Sequence, residues 1–239
     1  MRQRCQEMSY SIIVIWGVIF FITITFLAYI GNKINKQPSG VLIDERNKYS
    51  LSRFQMVIWT VIVLSAYATA CIYNMWNNEQ SPLSIAIPEE LWLLMGISTA
   101  ALVGSPLILS TKTGKPDKKE RDRNKRILEL KKLPEEEKQT NKNLIMVNET
   151  PQGANISDMF RGDETGNFAQ VDISKVQLFY LTLLLVLVYI AALADTFSGN
   201  SGKITEFPPL DMSMIALFGI SNAGYLTYKG TKHSMTQGE

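Results

Sequence analysis

The chain has 239 residues, 46% of them apolar and 19% charged, with a net charge of +2 and a mean hydropathy of +0.03. A single histidine, His233, excludes a histidine-based metal cluster or a histidine-assisted nucleophile, and the two cysteines, Cys5 and Cys71, lie far apart and read as unpaired thiols. The near-zero hydropathy is an average over two unlike kinds of sequence, so the distribution of apolar and charged residues carries the information.

Five windows, 8–32, 54–78, 91–111, 176–194 and 212–228, contain no Asp, Glu, Lys, Arg or His, and each holds at least 17 residues. Crossing about 30 Å of hydrocarbon takes roughly 20 helical residues, and one charge at the centre of a span costs about 2.5–3.5 kcal/mol. A soluble fold would need many more amphipathic segments to cover five such helices. The windows therefore predict an all-α integral membrane protein with five transmembrane helices.

In chain order, residues 1–31 form a first helix over about Tyr10–Ile30, retained because no small-residue cleavage site precedes Asn32. A linker over 32–50 follows, with Gln37-Pro38-Ser39-Gly40 as a turn and Asp44-Glu45-Arg46 as a charged patch. Residues 51–110 make a hairpin of two spans. Residues 111–171 are a charged linker, with a surface helix around Ile127, Leu128, Leu130 and Leu133 stopped at Pro134, then a segment too poor in apolar groups for a core. A second hairpin over 172–230 and a tail over 231–239 complete the chain.

The two hairpins repeat each other at an offset of 122 to 123 residues. Ser52-Arg53-Phe54-Gln55, Thr60 and Tyr67 match Ser174-Lys175-Val176-Gln177, Thr182 and Tyr189, and Gly96-Ile97-Ser98 matches Gly219-Ile220-Ser221. The four later spans thus read as two tandem, parallel hairpin repeats.

Charge sets the orientation. With five spans, one side holds Arg2, Arg4 and Lys203 against seven acidic residues, and the other takes the remaining 21 of the 24 Lys and Arg. The positive-inside rule places the N-terminus outside and the C-terminus in the cytoplasm. Trp76 and Trp92 then sit at outer helix ends, and Tyr29, Trp59 and Tyr228 near inner ones.

Polar residues within or beside the spans are the candidates for function. In Ser-x-x-Gln, Ser52 and Ser174 are expected to cap their helices, with Gln55 and Gln177 closing a capping box; the alternative puts these residues at a cytoplasmic pore mouth. Gly96, Ala100 and Gly104 recur every four residues, as do Gly219 and Ala223. Such stripes let helices approach closely and support self-association into a homo-oligomer. Ser98, Ser221 and Asn222 lie beside them, either as interhelical hydrogen-bonding groups or as a polar pore lining. Asp195 and Asp211 lie at the outer ends of the last two spans, as solvated carboxylates or an acidic mouth. Asp158, Phe160 and Arg161 fall in a distinctive linker stretch that reads as a contact for a cytoplasmic protein partner.

Other chemistries lack their parts. Gly114-Lys115 has Pro116 after it and no glycine at the upstream spacing of a phosphate loop. The basic run over 118–132 is interrupted by Glu120, Asp122 and Glu129 and followed by Glu135, Glu136 and Glu137, so no nucleic-acid partner is expected, whereas Lys112, Lys115, Lys118 and Lys119 suit anionic headgroups of the lipid bilayer. No enzyme activity, metal or cofactor is expected.

Tyr49-Ser50-Leu51-Ser52-Arg53-Phe54-Gln55-Met56 with Trp59-Thr60, Asp158-Met159-Phe160-Arg161-Gly162-Asp163-Glu164, and Gly219-Ile220-Ser221-Asn222 resemble a group of uncharacterised bacterial multi-pass membrane proteins. So does Val171-Asp172-Ile173-Ser174-Lys175-Val176-Gln177. The resemblance spans about 45–110 and 158–230 and implies a bacterial inner-membrane setting, two apolar hairpins and a variable cytoplasmic linker. It brings no site residue. The expectation is an oligomeric, channel-like membrane protein; its rival is a non-conducting scaffold or sensor subunit that recruits a partner through 111–171.

Overall fold

The computed structural model describes residues 2–131, 139–199 and 202–236, without the side chains of 2–11 and 131. These residues form six α-helices, α1 (Arg2–Asn35), α2 (Leu51–Trp76), α3 (Glu89–Ser110), α4 (Lys118–Lys131), α5 (Ile173–Gly199) and α6 (Met212–Gly230). An antiparallel pair, β1 (Gln139–Lys142) and β2 (Ile145–Asn148), lies between α4 and α5.

Four helices are long and apolar enough to cross a membrane: Ile12–Asn35 of α1, α2, α3 and α5. The fifth window, α6, has 19 residues, and Ser213, Ser221, Asn222 and Lys229 keep it below the same measure. It packs against α3 and α5, while α1 lies across α2 and α5 and α2 also meets α3. Trp59, Leu91, Leu94, Leu178, Tyr189 and Phe218 are fully buried where the helices meet. Outward, Phe21, Leu107, Leu187 and Ile220 are each more than 60% exposed. Side chains of this size gain about 1.5–3 kcal/mol on leaving water, so an outward apolar belt fits lipid as its solvent.

At one end of the bundle the loops after α2 and α5 clasp each other. The Ala86 N–H donates to Thr205 O at 2.7 Å, and the Phe207 N–H to Ala86 O at 3.0 Å. Asn74, buried in the last turns of α2, donates to Ile204 O and accepts from its N–H, both at 2.9 Å. The backbone groups of a loop beside hydrocarbon are thus met by protein.

At the opposite end the polar segments fold into a cap, a departure from the sequence expectation. Ile43, Leu144, Ile145, Met146, Met159 and Phe168 are all buried there. Its core is assembled from residues 36–50, 139–172 and 230–236 together with the helix ends, so the composition of 111–171 alone undercounts the apolar groups available. α4 agrees with the expected charged helix; Leu133, Pro134 and Glu135–Glu137 fall outside the described residues. The described part of the expected tail, 231–236, is held against the cap through a bridge between Pro116 and Thr236. Gly31 and Gly40 let the end of α1 touch the 3-10 turn Pro38–Leu42, since a Cβ on Gly40 would lie 2.5 Å from Gly31 O.

Candidate functional site

Asp163 is where the cap is joined to the bundle. Its Oδ1 accepts from Arg46 Nη1 at 2.5 Å and Lys175 Nζ at 2.9 Å, and its Oδ2 lies 3.1 Å from Lys229 Nζ. Those cations come from the loop before α2, the first turn of α5 and the last turn of α6. Lys229 also donates to Ser105 Oγ of α3 at 2.6 Å, so one buried carboxylate ties the ends of four helices. Backbone pairing sets its position: the Met146 N–H of β2 donates to Asp163 O, and the Asn148 N–H to Arg46 O. Asp44 holds the other side of the Arg46 guanidinium at 2.7–2.9 Å.

A second buried pair lies alongside. Lys112, just past α3, meets Glu164 Oε1 at 2.8 Å and also donates to the carbonyls of Gly230 and Thr231, where a cation complements the end of α6. Glu164 Oε2 accepts the His233 N–H at 3.0 Å. Thr165 reaches Glu120 of α4 and Ser234 of the C-terminal segment, and Asn124 donates to Thr165 O. Gly166 is required here, because a Cβ would overlap the His233 carbonyl.

Burial alone would raise the pKa of Asp163, but Arg46, Lys175 and Lys229 outweigh it and hold the carboxyl well below its usual 3.8. Asp44 behaves likewise, burial opposing and Arg46 prevailing. Arg46 is kept protonated against its burial by Asp163 and Asp44. Lys48 is different: it is 4% exposed and has no ion pair among the described residues. Burial pulls it down to about 8, with Asp158 and Asp163 only partly offsetting that.

The structure separates residues that the sequence pairs. Ser50, not Ser52, precedes α2, and Ser52 Oγ lies 3.3 Å from the Tyr225 hydroxyl of α6. Gln55 is fully buried and donates to Thr182 Oγ1 of α5 at 2.9 Å, so neither residue forms the expected capping box. On α5, the carboxylate of Asp172 takes the capping role, accepting from the N–H groups of Ser174 and Lys175. Ser174 is half-buried and Gln177 exposed.

Ser98, Ser221 and Asn222 are between 0 and 7% exposed, with Ser98 donating to Leu94 O and Asn222 to Phe218 O within their own helices. Gln55 Oε1, Trp59 Nε1, Tyr189 OH and Asn222 Oδ1 are buried without a hydrogen-bond partner, and Trp59 packs edge-on against Tyr189 rather than lying at an interface. At Gly104 and Gly219 a Cβ would meet Leu226 and Ile97 only in ordinary contact, at 3.5 and 3.4 Å, so neither position demands glycine, whereas Gly96, Ala100 and Ala223 point outward. Asp195 is exposed, and Asp211 caps α6 through Ser213.

The expected partner contact is used internally. Asp158 accepts the Asn155 N–H in a capping box, Phe160 meets Phe179 edge-on at 5.0 Å, and the Arg161 carbonyl accepts from Lys175. Lys112, expected at headgroups, is buried on Glu164. The Asp163 cluster itself lay in a stretch the sequence singled out, but only the folded chain shows that Arg46, Lys175 and Lys229 converge on it. Among the described residues no three His, Cys, Asp or Glu side chains gather as a metal site. Comparison with protein-family models, curated proteins and solved structures finds no match.

Proposed function

We propose that this chain is a non-conducting, multi-pass membrane scaffold or sensor subunit, set in a bacterial inner membrane and carrying its folded cap in the cytoplasm. In this reading α6 is a fifth span, α2–α3 and α5–α6 are tandem hairpins, and the N-terminus lies outside. The observation that carries it is the Asp163 junction, which fixes a folded cap in register with the helix ends. A rigid joint of this kind suits a protein that transmits or presents a conformation. The residues expected along a conducting path support the same view, since Gln55, Ser98, Ser221 and Asn222 are closed off within the bundle.

One feature favours the channel-like oligomer as a second reading. Between α3 and α6 runs an open apolar groove of about 520 Å³, lined by Leu93, Ile97, Ala216, Gly219, Ile220 and Ala223, which a second copy could fill. Purified protein in proteoliposomes separates the two. The scaffold reading expects vesicles that stay tight to K⁺, Na⁺ and Cl⁻, with Asn222→Ala indistinguishable from wild type. A cation or anion flux that Asn222→Ala alters would contradict it and establish the pore.

A further inference from the structure

A large hollow opens where the cap meets the helices. It is a cleft of about 840 Å³ between the first turns of α2, the C-terminal half of α3 and the β1–β2 hairpin. Its two halves differ in kind. The lower half is apolar, walled by Met56, Val57, Leu102, Val103, Pro106 and Leu107. The upper half carries Arg46, Arg53, Lys112 and Lys142 against Asp44 and Glu45, an excess of cations. Arg46 and Lys112 are occupied by Asp163 and Glu164, but Arg53 and Lys142 have no ion pair among the described residues. At 1.5 Å per helical residue, the wall from Ser110 to Leu102 descends about 12 Å into the apolar belt.

We propose that this cleft binds one anionic phospholipid, its phosphate between Arg53 and Lys142 and an acyl chain along Met56, Val57 and Leu107. An inorganic anion would leave the apolar half empty, and a zwitterionic lipid would set its own ammonium group beside the two cations. The chemistry fits a lipid with one net negative charge, such as phosphatidylglycerol. The site rests on the membrane reading of the helices but not on whether the protein conducts.

Native mass spectrometry of the full chain in mild detergent, titrated with dioleoyl phosphatidylglycerol or dioleoyl phosphatidylcholine, tests it. The expected result is one preferred phosphatidylglycerol adduct, weakened roughly thirtyfold in Arg53→Ala/Lys142→Ala, since each cation at a lipid headgroup contributes about a factor of five. Val57→Trp, which fills the apolar half and leaves the cations in place, should lose the same adduct. Equal retention of both lipids, or selectivity unchanged in either variant, would overturn the site. So would full competition by millimolar inorganic phosphate, which would reveal a simple anion site. Should the double variant misfold, Val57→Trp alone decides. Absence of selectivity in the wild-type protein, when alkaline extraction still leaves it in membranes, would count against this cleft, whereas extraction into the aqueous phase would count against the membrane reading itself.

Discussion

In the helix bundle, Gln55 is an isolated amide among apolar side chains and finds one partner, Thr182. In the cap, Asp163 is an isolated carboxylate among cations and meets three of them. The bundle is held by shape, with Trp59, Tyr189 and Phe218 fully enclosed and polar atoms few enough to be left over. The cap is held by pairing, and removing one partner there leaves charge behind. Burying a charge is tolerated only when its partner is present, so one residue controls far more of the cap than any one residue controls of the bundle.

That asymmetry can be broken experimentally. Asp163→Ala would strand Lys175 and Lys229 and leave Arg46 with Asp44 alone, at a cost of about 3–5 kcal/mol. Limited proteolysis should then cut within 139–172 while the helices stay protected. Gly166→Ala, which forces a methyl group into the His233 carbonyl, is expected to cost about 1–3 kcal/mol and to free the C-terminal segment, read by the same proteolysis. Asp172→Ala removes the cap of α5 and should lower stability by about 1 kcal/mol in a thermal melt. Gln55→Ala should cost about 0.6 kcal/mol through its lost interhelical bond, and Gln177→Ala, exposed on α5, nothing measurable.

Acid and base sharpen the same contrast. Asp163 and Asp44 sit below their usual 3.8 in the folded cap, so the unfolded chain takes up protons first. Their stabilisation is complete above that value and is lost as pH falls below it through their lower folded values, and hydrogen exchange should show the cap opening before the bundle. Lys48 works in the other direction. Its folded value of about 8 lies below the ordinary 10.5, so between these the unfolded chain binds more protons and stability rises with pH. Lys48→Met should abolish that alkaline gain in a pH-resolved melt.

The bundle was legible in the sequence because each apolar window announces itself locally: α1, α2, α3 and α5 fall where hydropathy puts them. The charged helix α4 could also be read locally. The roles within Ser-x-x-Gln could not. Ser52 and Ser174 have the same local sequence, yet α2 starts one residue before Ser52, and Asp172 stands two residues before Ser174 ready to cap α5. The cap escaped for a different reason. Its core brings Ile43 to Met146 and Phe168, more than a hundred residues further along, and its ion pairs join Arg46 to Asp163 and Lys112 to Glu164 across similar or shorter gaps. No window of sequence contains those pairings.

Hydrogen exchange read by mass spectrometry, on the full chain in lipid at pH 7, tests most directly whether the cap is a folded body locked to the helices. Amides of 144–148 and 163–168 should exchange as slowly as those of α2, and Asp163→Ala should release the cap amides alone. Complete exchange of 139–172 within seconds in the wild-type protein would contradict it and return that segment to a solvated linker.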